Sequence, residues 1–179
     1  LKEAGNFLMD LIGNILEVAR IESGKETLTE TAWNLCNLED TLDLLLDRDI
    51  YKKQLTLKKN MELQHPKVYC DVLKIQEITM NLLSNAVKYT PEGGTIHFTI
   101  RELPYEREGY ALFQTVVEDT GIGISKEYIP HLFEAFSREK SSSESGIIGT
   151  GLGLRIVKKF VDLMEGSIVV ESEIGEGTR

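Results

Sequence analysis

Residues 74–90 carry the clearest pattern of the chain and read KIQEITMNLLSNAVKYT. At about 100° per residue, four polar side chains share an arc of about 80° on one helix face: Glu77, Asn81, Asn85 and Lys88. Mid-helix asparagines have lower helix propensity than alanine, so propensity does not explain them. Carboxamide oxygens ligate hard cations and lysine binds phosphate, so the stripe predicts a cation and phosphate site. The alternative is a solvated helix face, which would more often use Glu, Lys and Gln.

Composition limits the classes of protein to which the chain can belong. It has 179 residues, 41% of them apolar, enough for one domain with a real core and a short extra element. The net charge of -9 repels a phosphate backbone, so no nucleic-acid partner is expected. Cys36 and Cys70 are far apart in sequence, which argues against a disulfide framework or a structural zinc site. The apolar runs are far shorter than the ~18 residues of a membrane span.

Outside residues 74–90, helix and strand patterns are mixed without strict alternation. Helices are predicted at 1–22, from a cap at Asn37 onward, and at 72–89, 126–135 and 150–164. Strands are predicted at 26–35, 54–58, 67–71, 95–102, 110–118 and 167–173. This order predicts an α+β fold, a two-layer α/β sandwich in which helices back one face of a mixed sheet.

The opening helix has two apolar stripes. The first repeats at alternating steps of three and four residues: Leu1, Ala4, Leu8, Leu11, Ile15 and Val18. The second lies beside it: Phe7, Ile12, Leu16 and Ala19. Two stripes are too wide for a two-helix seam, so they predict a bundle-type helix whose partner is another chain or a preceding helix. The alternative is a helix that packs on its own domain.

Residues 116–124 read VVEDTGIGI and place an acidic residue at the end of a predicted strand. Gly121 and Gly123 let the backbone approach a ligand closely, and Asp119 would accept a hydrogen bond from an amine. A ligand with a carbonyl at that point would be rejected, because two acceptors would face each other. The alternative is an ordinary turn after a strand.

Residues 146–154 read GIIGTGLGL and run into a predicted helix. Backbone N–H groups at a glycine-rich helix start form an anion site. The spacing is neither that of a P-loop nor G-x-G-x-x-G, because Leu154 stands at the position of the third glycine. The alternative is a flexible loop.

Together these segments resemble the ATP-binding catalytic domain of sensor histidine kinases. Four segments carry the resemblance, in the order of that family's N box, first glycine box, F box and second glycine box: 81–90, 119–123, 131–136 and 149–154. The opening helix resembles the second helix of the kinases' dimerisation domain. The resemblance implies the Bergerat ATP-binding fold. It assigns 1–24 to the dimerisation domain and 25–179 to the ATP-binding domain, whose final strand would follow Arg179.

The resemblance also implies residue roles. Asp119 would receive the adenine amino group, Asn81 would coordinate Mg²⁺, and Glu77 would orient the acceptor histidine or a water. Further ATP contacts are implied for Asn85, Lys88, Tyr89, Gly121, Gly123, Ile124, Gly149, Thr150, Gly151, Leu152, Gly153 and Thr178. Residues 137–148 would form a lid from which Arg138 or Lys140 reaches the terminal phosphate.

The implied activity is transfer of the γ-phosphoryl group of Mg·ATP to a histidine, for onward transfer to an aspartate of a response-regulator receiver domain. The acceptor histidine is expected before Leu1, since His65, His97 and His131 do not match its motif. The opening helix would form a homodimer in the parent protein. The domain is expected in the cytoplasm, with a membrane anchor elsewhere in the parent as one arrangement.

Two other function classes stay open. Related hydrolases, such as gyrase, mismatch-repair and heat-shock chaperone ATPases, carry a glutamate one turn before the Mg²⁺ asparagine and use it as a general base. If Glu77 acted as a general base in the same way, the protein would be an ATP-hydrolysing conformational switch. The other class is a non-catalytic nucleotide-binding dimer module. The bundle-type opening helix and the F box favour the kinase.

Overall fold

The computed structural model describes residues 2–24, 26–137 and 149–179. These residues form two compact units. The larger unit holds residues 29–126 and 170–179, and the smaller holds the described residues of 1–28 and 127–169. The predicted domain boundary at residue 24 stays a prediction.

The strands of the larger unit form two sheets. In the first, β1 (Thr31–Asn34) pairs antiparallel with β3 (Lys67–Cys70). The second contains β2 (Thr56–Glu62), β4 (Thr95–Leu103), β5 (Leu112–Asp119), β6 (Ser172–Glu173) and β7 (Gly177–Thr178). Its strand order is β2-β4-β5-β7-β6, with β2 parallel to β4 and the other pairs antiparallel. The sheet is therefore mixed, as predicted.

Two helices pack on the five-stranded sheet: α2 (Asn37–Lys52) and α3 (Val72–Tyr89). The core that joins them is apolar and buried, and its members lie at helical spacing on the helices and at alternate positions on β4: Leu38, Leu42, Leu46, Leu83, Val87, Ile96, Phe98 and Ile100. Burying one such side chain contributes roughly 1.5–3 kcal/mol, so this layer fixes α3 on the sheet. The predicted two-layer α+β sandwich is confirmed.

The bounds of α3 agree with the predicted 72–89, and local signals set both ends. Asp71 precedes the helix in extended conformation, and its carboxylate accepts the backbone N–H groups of Lys74 (3.1 Å) and Thr29 (2.9 Å). At the other end Thr90 is extended because Pro91 follows it, and its hydroxyl donates to the carbonyl of Ala86 (2.6 Å). The helix that carries the polar stripe is therefore held at both termini.

The smaller unit contains α1 (Lys2–Glu22), a short 3₁₀ helix (Ile129–His131) and α4 (Gly153–Leu163). Helices α1 and α4 are in contact. Apolar side chains of both predicted stripes of α1 are exposed in this chain: Leu8, Ile12, Ile15 and Leu16. No helix in the described part of the chain is long and apolar enough to cross a bilayer.

Some predicted elements differ in the structure. Helix α2 begins at Asn37 rather than after it, so the predicted Asn37 cap is wrong, and the side chain of Asn34 instead accepts the N–H of Cys36 (3.1 Å). The helix predicted at 126–135 is reduced to one 3₁₀ turn that contains Pro130, which lacks the N–H that an α-helix interior needs. The strands predicted at 26–35 and 167–173 are only four and two residues long. The first pairs with β3 and the second with β7, and Glu171 adds two backbone hydrogen bonds with Arg179 just before β6.

Candidate nucleotide-binding site

The polar stripe of α3 lies in the larger unit, and its four side chains are half-buried: Glu77, Asn81, Asn85 and Lys88. Nδ2 of Asn81 donates to the backbone carbonyl of Glu77 one turn earlier (3.0 Å). This bond uses the amide nitrogen of Asn81. Its Oδ1 oxygen is of the ligand type that Mg²⁺ prefers. The arrangement therefore matches a cation ligand whose orientation the helix fixes.

The last turn of α3 combines a charge with an aromatic ring. Nζ of Lys88 lies 5.1 Å from the ring centroid of Tyr89, within the range of a cation–π contact. The backbone carbonyl of Tyr89 accepts the N–H of Ile122 (3.2 Å). This bond joins the end of the polar stripe to the predicted adenine-binding turn.

Asp119 is the last residue of β5, and its side chain is half-buried. The backbone N–H of Gly121 donates to Oδ1 (2.8 Å), and the N–H of Thr178 also donates to the carboxylate. Burial raises the pKa of Asp119 above its ordinary value, and these two hydrogen bonds offset only part of that effect. The carboxylate is thus poorly solvated, which favours a ligand that brings an N–H donor, such as an exocyclic amine.

The turn after Asp119 leaves no room for side chains at two positions. A Cβ on Gly121 would lie 2.4 Å from Oδ1 of Asp119 and 2.8 Å from the carbonyl oxygen of Tyr89. Gly123 has a φ of +70°, and a Cβ there would lie 1.9 Å from the carbonyl oxygen of Glu173. Both glycines are therefore required for the backbone to close around the carboxylate.

A hydroxyl pair supports Asp119 from the neighbouring strands. Thr178 stands opposite Asp119 in the β5–β7 pairing, and its Oγ1 lies 2.9 Å from Oγ of Ser172. That Ser172 oxygen accepts the N–H of Ile124 (2.8 Å) and donates to the carbonyl of Gly177 (2.8 Å). Sequence reasoning missed Ser172, because a single serine between two glutamates carries no pattern.

The second glycine-rich segment lies in the smaller unit. The carbonyl of Gly151 accepts the N–H of Phe136 (3.0 Å), and Gly151 itself has a φ of +70°. Oγ1 of Thr150 accepts Nδ2 of Asn14 (3.3 Å) and the N–H of Leu152 (3.4 Å). Helix α4 begins at Gly153, as the anion-site prediction needs. The nucleotide contacts of Gly149–Gly153 stay a prediction.

Two predicted phosphate contacts, Arg138 and Lys140, lie outside the described residues, as does most of the predicted lid. Within residues 2–24, 26–137 and 149–179, no group of three or more His, Cys, Asp or Glu could hold a metal ion. Mg²⁺ commonly binds through one or two protein ligands together with phosphate oxygens and water, and the Oδ1 of Asn81 could serve as such a ligand. The residues present fit that mode of binding.

The sequence of residues 70–179 matches the model of the histidine kinase-, DNA gyrase B- and HSP90-like ATPase family. The chain belongs to this family. The match covers α3, Asp119 with its glycine turn, and the second glycine-rich segment. The resemblance deduced from the four motifs is thereby confirmed.

Similar proteins extend the match to the opening helix. Sensor protein GacS of Pseudomonas syringae pv. syringae is 38% identical over 99% of this chain, which covers 19% of that protein. The chain spans 9–23% of the length of such curated relatives. The crystal structure of full-length ShkA in complex with AMPPNP has a TM-score of 0.81 at 26% identity, covering 98% of this chain and 35% of that one. The histidine kinase ThkA, solved in complex with the response regulator protein TrrA, has a TM-score of 0.70 at 24% identity. The match covers 97% of this chain and 46% of the ThkA chain.

Proposed function

We propose that this chain is the Mg·ATP-binding core of a sensor histidine kinase, which donates the γ-phosphoryl group of ATP to a histidine of the parent protein. The observation that carries the proposal is the half-buried carboxylate of Asp119, closed in by a glycine turn that is bonded to the end of the polar stripe on α3. The family supports the same activity, since its matching relatives include sensor histidine kinases.

Adenine selectivity follows from the chemistry of Asp119. Its two backbone donors come from the protein, so a ligand at the carboxylate has to bring a further N–H group. The amino group of adenine supplies one, whereas guanine presents a carbonyl at the equivalent position and would leave two acceptors facing each other. A missing or mismatched bond to a charged group costs about 1.5–3 kcal/mol, which is about tenfold or more in affinity.

The stripe on α3 would hold the phosphate end. Asn81 supplies Oδ1 to Mg²⁺, which when bound neutralises charge on the phosphate oxygens. Asn85 and Lys88 donate N–H groups to those oxygens. The carboxylate of Glu77, one turn before Asn81, orients the acceptor group. These side chains position and stabilise, and none of them forms a covalent bond.

The transfer itself needs no group from this chain as nucleophile. The lone pair of a neutral imidazole nitrogen on the parent's acceptor histidine attacks the γ-phosphorus. The bond from that phosphorus to the β–γ bridging oxygen breaks, and its electron pair leaves with ADP. Onward transfer to an aspartate of a response-regulator receiver domain, homodimerisation through α1 and a cytoplasmic location complete the proposal. ThkA, which shares the fold, has been solved with such a regulator.

Titration calorimetry of the chain with Mg·ATP and with Mg·GTP tests the proposal. We expect Mg·ATP to bind at least tenfold more tightly, and equal affinities would contradict the role given to Asp119. Asn81→Asp should weaken or alter Mg·ATP binding while the domain stays folded, because the carboxylate lacks the Nδ2 donor that orients Asn81 on the Glu77 carbonyl. Ser84→Ala, on the exposed side of the same helix, is the matched control and should bind like the wild type.

A second candidate is an ATPase that uses Glu77 as general base, favoured by the position of Glu77 one turn before Asn81. This candidate predicts steady phosphate release by the chain alone and its loss in Glu77→Gln. The kinase proposal predicts release near background for both proteins. A sensitive phosphate assay with Mg·ATP separates the two functions.

A further inference from the structure

The end of α3 is unusual in how its carbonyl groups are satisfied. The last four carbonyls of a helix have no partner within the helix and are commonly left to water. Here Lys53, which directly follows α2, reaches this helix end. Its Nζ donates to the carbonyls of Val87 (2.7 Å), Lys88 (3.0 Å) and Thr90 (2.6 Å).

Of the four carbonyls of residues 87–90, the remaining one has a different donor. The carbonyl of Tyr89 accepts the N–H of Ile122, which lies in the turn after Asp119. Four consecutive carbonyls are thus divided between a lysine on one side and the predicted adenine-binding turn on the other. A shift of this helix end would therefore move the turn as well.

The backbone of Lys53 holds the same region. Its carbonyl accepts the N–H of Gly93, in the turn that follows α3 (3.0 Å), and Thr56, three residues later, donates its N–H to the carbonyl of Gly94 (2.9 Å). The connection between α2 and β2 is thus tied to the connection between α3 and β4. These hydrogen bonds fix the backbone position from which the side chain of Lys53 extends.

Three simultaneous bonds require the ammonium form, since a neutral amine has two N–H groups. A positive charge also suits the negative end of the α3 dipole. Holding it there has a cost, because burial lowers the pKa of Lys53, with Asp49 acting in the opposite direction. A half-buried lysine kept at this cost indicates a role beyond solubility.

We propose that Lys53 is a positioning residue for the nucleotide site, which fixes the last turn of α3 so that Lys88, Tyr89 and the Asp119 turn keep their binding geometry. This inference rests on the proposed function. Lys53 touches no nucleotide in this account. It acts through the carbonyl groups that it binds.

Lys53→Met removes the donors while keeping the length of the apolar stem. The matched control is Lys59→Met, since Lys59 is also half-buried in the larger unit but pairs with Asp43 (2.6 Å) and not with α3. Calorimetry with Mg·ATP is performed at a temperature where circular dichroism shows every variant to be folded. We expect Lys53→Met to bind at least fivefold more weakly than the wild type and Lys59→Met to bind within twofold of it.

Two further readouts separate positioning from stability. Lys53→Arg, which restores donors and charge, should recover most of the lost affinity. Amide exchange of Thr90 and Ile122, measured without nucleotide, should accelerate in Lys53→Met and stay unchanged in Lys59→Met. If Lys53→Met does not fold, Lys53→Gln, which keeps an N–H donor, is judged by the same thresholds.

A folded Lys53 variant that binds Mg·ATP within twofold of the wild type overturns the inference. So does an equal loss of affinity in Lys59→Met, because the effect would then be one of general stability. A wild-type chain that binds no Mg·ATP overturns the proposed function and this inference with it, so the two failures are distinguishable.

Discussion

Asp119 shows at the scale of one residue how binding competes with folding. Because burial raises its pKa in the native state, the ionised carboxylate costs folding free energy at any pH above its ordinary value of 3.8. The native state binds the proton more tightly than the unfolded state, so stability falls as pH rises through the interval between the two pKa values. A ligand N–H group that donates to the Asp119 carboxylate would reduce this cost in folding free energy.

Asp119→Asn should therefore unfold at an equal or higher urea concentration than the wild type at pH 7, while its affinity for Mg·ATP falls at least tenfold. The amide keeps an oxygen for the N–H of Gly121 but loses the charge that burial disfavours. Glu118→Gln, whose carboxylate pairs with Arg179 at the surface, is the control and should change neither quantity. A clear loss of stability in Asp119→Asn would contradict this view of Asp119.

Gly123→Ala should destabilise the chain by about 1–3 kcal/mol more than Gly109→Ala, as measured by urea unfolding. Both glycines have positive φ, so both alanines are strained. Only the Cβ at position 123 also meets the backbone of Glu173, whereas nothing lies within 4 Å of a Cβ at 109. Equal losses in the two variants would show that the close approach is absent.

At the scale of elements, α3 could be predicted from the sequence with both ends correct, because each end has a local cause. Asp71 caps its start and Thr90 with Pro91 ends it. The strand predicted at 167–173 is shorter in the structure because a strand needs a partner: Ser172 and Glu173 pair with β7, and Glu171 exchanges two backbone hydrogen bonds with Arg179. Lys53 was missed for the same reason, since its bonds join residues 34 to 37 positions apart.

The cap of α3 has a pH dependence of its own. Burial would raise the pKa of Asp71, but the N–H groups of Thr29 and Lys74 and the Lys74 ammonium outweigh it and hold the pKa below its ordinary value of 3.8. The stability that the ionised carboxylate contributes is thus fully present above pH 3.8 and is lost as pH falls through the lower native pKa.

Asp71→Asn should lower the free energy of unfolding by about 1 kcal/mol at pH 7, because the N–H groups of Thr29 and Lys74 bond different oxygens of Asp71 and an amide offers only one oxygen. The difference from the wild type should shrink as the wild type is titrated below pH 3.8. Urea unfolding across this pH range measures it. Asp47→Asn, on the exposed side of α2, is the control. A difference that stays constant down to the acid limit would exclude the carboxylate as its source.

At the scale of the whole molecule, ligand binding and stability are linked. A ligand at 100 times its dissociation constant stabilises the state that binds it by about 2.7 kcal/mol. Mg·ATP should therefore raise the thermal unfolding midpoint, and EDTA should remove most of that rise, because in the proposed site Asn81 would hold the phosphates through Mg²⁺. Differential scanning calorimetry with ATP, with and without EDTA, measures both effects. A rise that EDTA leaves intact would contradict the metal role.

The family could be predicted from four short segments in one order, because glycines, amides and a carboxylate at fixed spacing reflect ligand chemistry. The division of the described residues into two units could not, since it depends on contacts between distant parts of the chain. The role of Ser172 could not be predicted either, since its hydroxyl contacts Thr178 and Ile124, which are not its neighbours in sequence.

Mapping the site on the folded chain tests the central claim most directly. The chain is labelled with nitrogen-15 and titrated with Mg·ATP, and amide chemical shifts are followed to saturation. We predict that the largest changes occur at Asn81, at Tyr89 and at the backbone N–H groups of Gly121 and Ile122. Saturable changes confined to other parts of the larger unit, with these signals unmoved, would contradict the account.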